Sequence, residues 1–146
     1  MATPPTTTQK LLAEALGTAF LVFVGAGSAA ATGVIAAGTK VAFSMAQLGM
    51  ISFAFMLVIV GAVYAIGHIS GGHINPARYL GTVFMQDGFG GTVSWAQVPA
   101  YLIGEIVGGV LGGLAWVFIG RVRPDAAMTS LAPADAEPER VSGAAS

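Results

Sequence analysis

Polar and apolar residues in this chain separate into whole segments rather than alternating turn by turn. Residues 11–31, 46–67 and 98–120 form three apolar runs, each long enough for the roughly 20 residues that cross a hydrocarbon layer as a helix. The first run carries a single charge, Glu14, close to its start, and the second is interrupted only by Gln47, Ser52 and Tyr64. The third carries Glu105 and glycines at 104, 108 and 112, with Gly109 and Gly113 beside them. Glycines four apart leave a smooth stripe that lets another helix approach closely, although glycine is also frequent in membrane helices in general. Between the second and third runs lies a polar, glycine-rich interruption, GHISGGHINPAR, at residues 67–78.

The interruption predicts a second kind of helix. Asn75 is a good N-cap, and Pro76 falls at the first helical position, where its fixed φ suits the turn and its missing N–H has no intrahelical partner to lose. RYLGTVFMQ continues the helix until Asp87-Gly88 signals a stop, giving a half-helix over residues 76–86. At ~1.5 Å per residue it is about 15 Å long, half of a hydrocarbon core of roughly 30 Å. The carbonyls of Gly71, Gly72 and His73 precede it and cannot pair within a helix, so they are tolerated at membrane depth only if they line water or are covered by protein. The predicted fold is an all-α membrane protein with three transmembrane helices and one re-entrant half-helix. Residues 1–10 read as a flexible Pro/Thr tail, residues 32–45 as a connection holding Lys40, and residues 87–94 as a loop. Trp95 and Tyr101 suit an interfacial aromatic belt, and residues 122–146, rich in Pro, Ala and acidic groups, read as a disordered tail.

Composition narrows the function classes. Charged residues make up 9% of the chain and apolar ones 55%, against about 25% charged in soluble domains. A net charge of -1 without any Lys/Arg cluster argues against nucleic acid as a partner. There is no cysteine, so disulfide and thiolate chemistry are excluded. No cleavable signal is expected, because the first apolar run is too long for a signal's core. Lys10, Lys40, Arg121 and Arg123 give only a weak orientation by the positive-inside rule. His68 and His73 lie five apart with no carboxylate between them, a poor spacing for zinc. Ser70 has no nucleophile-elbow context. Neither a metal, a cofactor nor an enzymatic activity is expected. Asn75 offers two amide donors, and the half-helix N-terminus adds partial positive charge at the same point; together they would orient a passing water and disfavour protons and cations.

At GHISGGHINPAR the sequence resembles the major intrinsic protein family, the aquaporins and glycerol facilitators. Residues 1–77 resemble the first span (AEALGTAFLVFVGAGSA), the second span and the first pore loop of a bacterial aquaporin. From Asn75 onward, with Arg directly after NPA, the chain resembles the end of a family member, its second half-helix and sixth span; residues 98–113 also resemble the third span, which has a similar Tyr and Gly pattern. Family members carry two NPA half-helices in inverted halves, and this chain has one, so the resemblance implies half of an aquaporin-like fold over residues 11–121, internally deleted or truncated. It implies a passive channel for water, or for small neutral solutes such as glycerol, in the bacterial plasma membrane. The pore would be lined by Asn75, Pro76, Ala77 and Arg78, with Phe55 as filter aromatic and the carbonyls of Gly71, Gly72 and His73 as an acceptor ladder. Glu14 and His68 would support the loop, Glu14 by accepting backbone N–H bonds; Glu105 stands where a proline or glutamine is expected and has no assigned partner, a neutral form or a pair with His being open. Tyr79 in place of the aspartate of glycerol facilitators, together with Phe55, favours water. One copy cannot bring Phe55 to Arg78, so a homo-oligomer, in particular an antiparallel dimer, or association with full-length relatives would complete the pore. The alternatives are a non-conducting fragment and a membrane packing subunit.

Overall fold

The computed structural model describes residues 3–39, 43–89 and 95–120, and these are helical with short connections and no strand. The helices are α1 (Thr7–Phe20), α2 (Gly27–Thr39), α3 (Met45–Ser70), α4 (Pro76–Phe89) and α5 (Val98–Ile119). A π-helical turn, Leu21–Ala26, joins α1 to α2, and a 3₁₀ turn, Trp95–Gln97, leads into α5. Among the described residues, three stretches are long and apolar enough to cross a membrane: Thr7–Gly33, Met45–Ser70 and Trp95–Ile119. This is an all-helical integral membrane protein, consistent with part of an aquaporin fold. Lys40, Arg121, Arg123, residues 90–94 and the expected tail at 122–146 lie outside the described residues.

The helices run further than the apolar pattern indicates, because local caps extend them. α1 begins at Thr7, inside the stretch expected to be a tail. The Thr6 side chain accepts from Gln9 N–H and the Gln9 side chain accepts from Thr6 N–H, a capping box that satisfies two terminal donors. Ser44 and Gln47 repeat the device at the start of α3. α2 carries the first span on to Thr39, through residues expected to form the connection, and α4 continues through Asp87 and Gly88 to Phe89. Hydroxyls within the spans return to their own helix: Thr18 donates to Glu14 O at 2.8 Å, Ser52 to Leu48 O at 2.8 Å and Thr32 to Ser28 O at 2.7 Å. Each is thereby satisfied without water, as hydrocarbon requires.

α1 and α5 run parallel and in close contact. A Cβ added at Gly104 would lie 2.7 Å from the Leu11 carbonyl oxygen, and at Gly108 and Gly112 it would overlap the carbonyl oxygens of Ala15 and Ala19. The stripe of glycines therefore receives the backbone of the first span at a constant register, four residues against four. Lys10 Nζ donates to Gln97 Oε1 at 3.1 Å, which sets the starts of the two helices level. α3 lies against the other side of α1: Gly17 faces Ile66 of α3, and Gly25 of the π turn faces the Phe55 ring. Most of α3 turns outward, with Phe53, Leu57 and Tyr64 exposed, as suits a lipid-facing surface.

A bulky side chain in the glycine stripe should separate the two spans. Gly108→Leu is expected to destabilise the protein by about 1–3 kcal/mol or more through overpacking. Gly81→Ala, on α4 with no atom within 4 Å of the added Cβ, should be neutral or stabilising by about 0.5–1 kcal/mol. SDS-driven unfolding of the purified chain in mixed micelles measures both; equal effects would refute the close α1–α5 contact.

Candidate functional site

The site is the connection between α3 and α4, and its backbone can be accounted for donor by donor. α3 ends because Gly71 adopts φ 95°, a left-handed cap in which its N–H still reaches Gly67 O at 3.0 Å. Gly72, at φ 62°, donates to Ser70 Oγ at 3.3 Å. His73 N–H and Ile74 N–H then donate to the two oxygens of one carboxylate, Glu14 Oε1 at 3.0 Å and Oε2 at 2.5 Å. Asn75 N–H donates to Glu105 Oε1 at 3.3 Å. Pro76 has no donor, and the Asn75 side chain accepts from Ala77 N–H at 2.9 Å and Arg78 N–H at 3.2 Å. Tyr79 N–H closes the first helical turn on Asn75 O at 2.9 Å. No N–H from Gly71 to Tyr79 is left without an acceptor, the condition for irregular backbone at membrane depth.

Two buried carboxylates on two spans thus hold the loop. Glu14 is 0% exposed and Glu105 1%, and each lies seven residues, about 10 Å, into its helix. Glu14 also lies 3.4 Å from His73 Nδ1 through Oε1. Ile74 sits at φ 50°, a region β-branched residues rarely enter. Its side chain is 2% exposed, wedged against Gly17, where a Cβ would come within 2.5 Å of Ile74 Cγ2. That burial and the Glu14 bond offset a backbone strain of about 1–3 kcal/mol. Tyr101 donates its hydroxyl to Ser70 O at 2.8 Å and stacks on Tyr79 with centroids 4.0 Å apart, and the His73 ring stands edge-on to both.

The outward side of the site is different. Asn75, Ala77 and Arg78 are exposed, and Arg78 Nη1 donates back to Gly72 O at 3.1 Å and His73 O at 3.4 Å. Two of the three carbonyls expected to form a ladder of acceptors for a permeant, those of Gly72 and His73, are therefore shared with the guanidinium, because α4 starts directly behind the loop and its first turn brings Arg78 over it. Phe55 packs against Gly25, and its position 15 residues before the end of α3 puts it about 22 Å along the helix from Ser70. The structure brings Asn75, Pro76, Ala77, Arg78, Gly71, Gly72, His73 and Glu14 together and leaves Phe55 apart. His68 lies exposed on the last turn of α3, because the helix turns Ser70 rather than His68 toward α5. Tyr79 is fully buried, so it does not face the Arg78 side. Trp95 is exposed and meets Phe84 edge-on at 5.5 Å. Tyr101, expected in an interfacial belt, is buried at 4% because its hydroxyl finds an acceptor inside the protein. No group of three or more His, Cys, Asp or Glu among the described residues could hold a metal.

Ser70, Tyr101 and Glu105 stand out in the sequence without being joined to the loop: Ser70 reads as lacking a nucleophile's context, Tyr101 as part of a belt and Glu105 as having no assigned partner, yet all three bond the loop. The signal for the last two was present: Tyr101, Gly104, Glu105, Gly108 and Gly112 fall at helical spacing on one face, and that face is the buried one.

Fold and site define a class: a helical membrane protein in which a loop re-enters and starts a half-helix from an Asn cap. Comparison with known proteins narrows it. The model of the major intrinsic protein family matches residues 1–141, and the chain belongs to that family. It is 43% identical over 105 residues to an Aquaporin Z of Rhodopseudomonas palustris, covering 70% of this chain and 38% of that protein. It is 39% identical over 128 residues to an Aquaporin Z of Photorhabdus laumondii, covering 85% and 50%. A probable aquaporin of NIP type from Nicotiana alata is 38% identical over 112 residues, covering 75% and 37%. The chain thus spans half or less of the length of these relatives.

Removing the first carboxylate tests the accounting. Glu14→Ala orphans two buried N–H groups and is expected to cost roughly 2 to 6 kcal/mol, about 1–3 for each. Glu14→Gln retains one acceptor oxygen and should cost about half as much. Unfolding in mixed micelles reads both; an Ala variant no less stable than the Gln variant would refute the role of the retained oxygen, and a Gln variant as stable as the native chain that of the second.

Proposed function

We propose that this chain forms part of a passive membrane pathway for water, with Asn75 and the N-terminus of α4 at its narrow point and a second polypeptide completing the wall. The observation that carries this reading is the one-sided satisfaction of the loop. Every backbone donor from Gly71 to Asn75 is consumed by the protein's interior, while Asn75 and Arg78 are turned outward, and Asn75 spends its side-chain oxygen on its own helix. The two amide hydrogens of Asn75 remain as donors toward the open side. There they can hold a water's oxygen and direct its hydrogens away, and the positive end of α4 opposes protons and cations. The names of the relatives, aquaporins of bacteria and plants, support a channel for water or small neutral solutes and, with the bacterial Aquaporin Z sequences, a bacterial plasma membrane.

An exposed guanidinium at membrane depth requires water or protein beside it. A second copy in inverted orientation supplies both, setting two Asn75 caps against each other and bringing Arg78 of one copy toward Phe55 of the other. The use of Gly72 O and His73 O by Arg78 favours a second reading, a non-conducting membrane subunit that associates with longer relatives. Osmotic shrinkage of proteoliposomes containing the purified chain separates the two: permeability well above empty vesicles, reduced by Asn75→Asp, is expected. Permeability equal to empty vesicles would eliminate the channel reading for this chain alone. Because the chain has no cysteine, Ala77→Cys introduces a unique thiol on the exposed face. The inverted dimer predicts a disulfide-linked dimer on oxidation in lipid, and a product that stays monomeric would sink it.

A further inference from the structure

Among the described residues, the buried side-chain atoms without a hydrogen-bond partner are His73 Nδ1, Tyr79 Oη and Glu105 Oε2. His73 Nδ1 faces Glu14 Oε1, 3.4 Å away. The other two are both oxygens, on residues almost wholly enclosed, Tyr79 at 0% and Glu105 at 1% exposure. They are neighbours, the Glu105 carboxyl being the charge that acts most strongly on the Tyr79 hydroxyl. Tyr79 N–H is bonded to the carbonyl of Asn75 and Glu105 Oε1 accepts the N–H of the same residue. Glu105 follows one turn after Tyr101, on which Tyr79 is stacked.

A phenol and a carboxylate oxygen left unpaired at this depth are unfavourable, and their chemistry is complementary, one donor and one acceptor. A buried water takes two to four polar partners and is most often found where protein groups would otherwise go unsatisfied. We propose that the seam between α4 and α5 contains a site for a single buried water that accepts from Tyr79 O–H and donates to Glu105 Oε2. The bridge fastens the first turn of the half-helix to the third span and thereby holds Asn75 at its angle, with the carboxylate dividing its two oxygens between backbone and water. This site is independent of whether the chain conducts.

The test is an experimental structure of the full chain in lipid at a resolution that shows individual waters, for the native protein and for Tyr79→Phe, which keeps the stacked ring. A discrete density within hydrogen-bonding distance of both oxygens, lost in the variant, is the expected result. A direct bond between Tyr79 and Glu105, or a dry seam, overturns the proposal. In parallel, Tyr79→Phe should shift the unfolding equilibrium about fivefold when Glu105 is present and hardly at all in a Glu105→Leu background, the signature of coupling. Equal effects in the two backgrounds would also overturn it. Should Glu105→Leu fail to fold, the native and Tyr79→Phe structures decide the matter by themselves.

Discussion

Four successive backbone N–H groups, from Gly72 to Asn75, have to find acceptors where neither water nor a helix ladder supplies them. Most of the architecture follows from that need. A carboxylate is the side chain with two acceptor oxygens and no donor in its ionised form, and Glu14 uses both of them on adjacent residues. Glu105 extends the reach by one residue. For two carboxylates on different spans to arrive at the same depth, α1 and α5 must run parallel with level starts. The glycines at 104, 108 and 112 allow it by letting the backbone of one helix rest on the other. Close helix packing and loop satisfaction are therefore one requirement seen from two sides.

The same arrangement fixes what faces outward. Once the loop's donors are drawn inward, its carbonyls and the cap amide are the groups left to meet a neighbour or a permeant. Arg78 then has only local oxygens to bind, Gly72 O and His73 O. A guanidinium with five donors in a fixed fork is not exhausted by two long contacts to carbonyls. The site thus has its backbone donors satisfied on one face and presents the cap amide and a guanidinium on the other.

Much of this was legible from residue order. The three apolar runs, the Asn-Pro helix start and the polar interruption come from length, cap chemistry and the spacing of glycines, which act locally. Helix ends were less legible, since Thr6 with Gln9 and Ser44 with Gln47 form capping boxes whose effect outweighs the polar character of the flanking residues. The partners of Glu105 and Tyr101 were beyond local reading, because they depend on which face of α5 turns toward the loop. Phe55 matches a filter position by its distance from the motif and is expected to lie apart from Arg78 in one copy; its contact with Gly25 depends on how α3 packs on the first span.

The π-helical turn at Leu21–Ala26 gives the first span two separate rotational settings. Before the turn, Leu11, Ala15, Thr18, Ala19 and Val22 face glycines of α5, and after it Gly27 faces Trp116. A π turn holds one residue more than the α-helix it interrupts, and that residue is absorbed within the turn. Residues before it are set by the carboxylate and the glycine stripe, the turn itself by the Phe55 ring against Gly25, and residues after it by the Trp116 ring against Gly27. Rewinding this turn as regular α-helix, with the residue count unchanged, would swing one part by about 100° relative to the other, turning Gly27 away from Trp116 or carrying Glu14 away from the loop. The span works as two aligned keys on one shaft, and the wider turn between them keeps them in line.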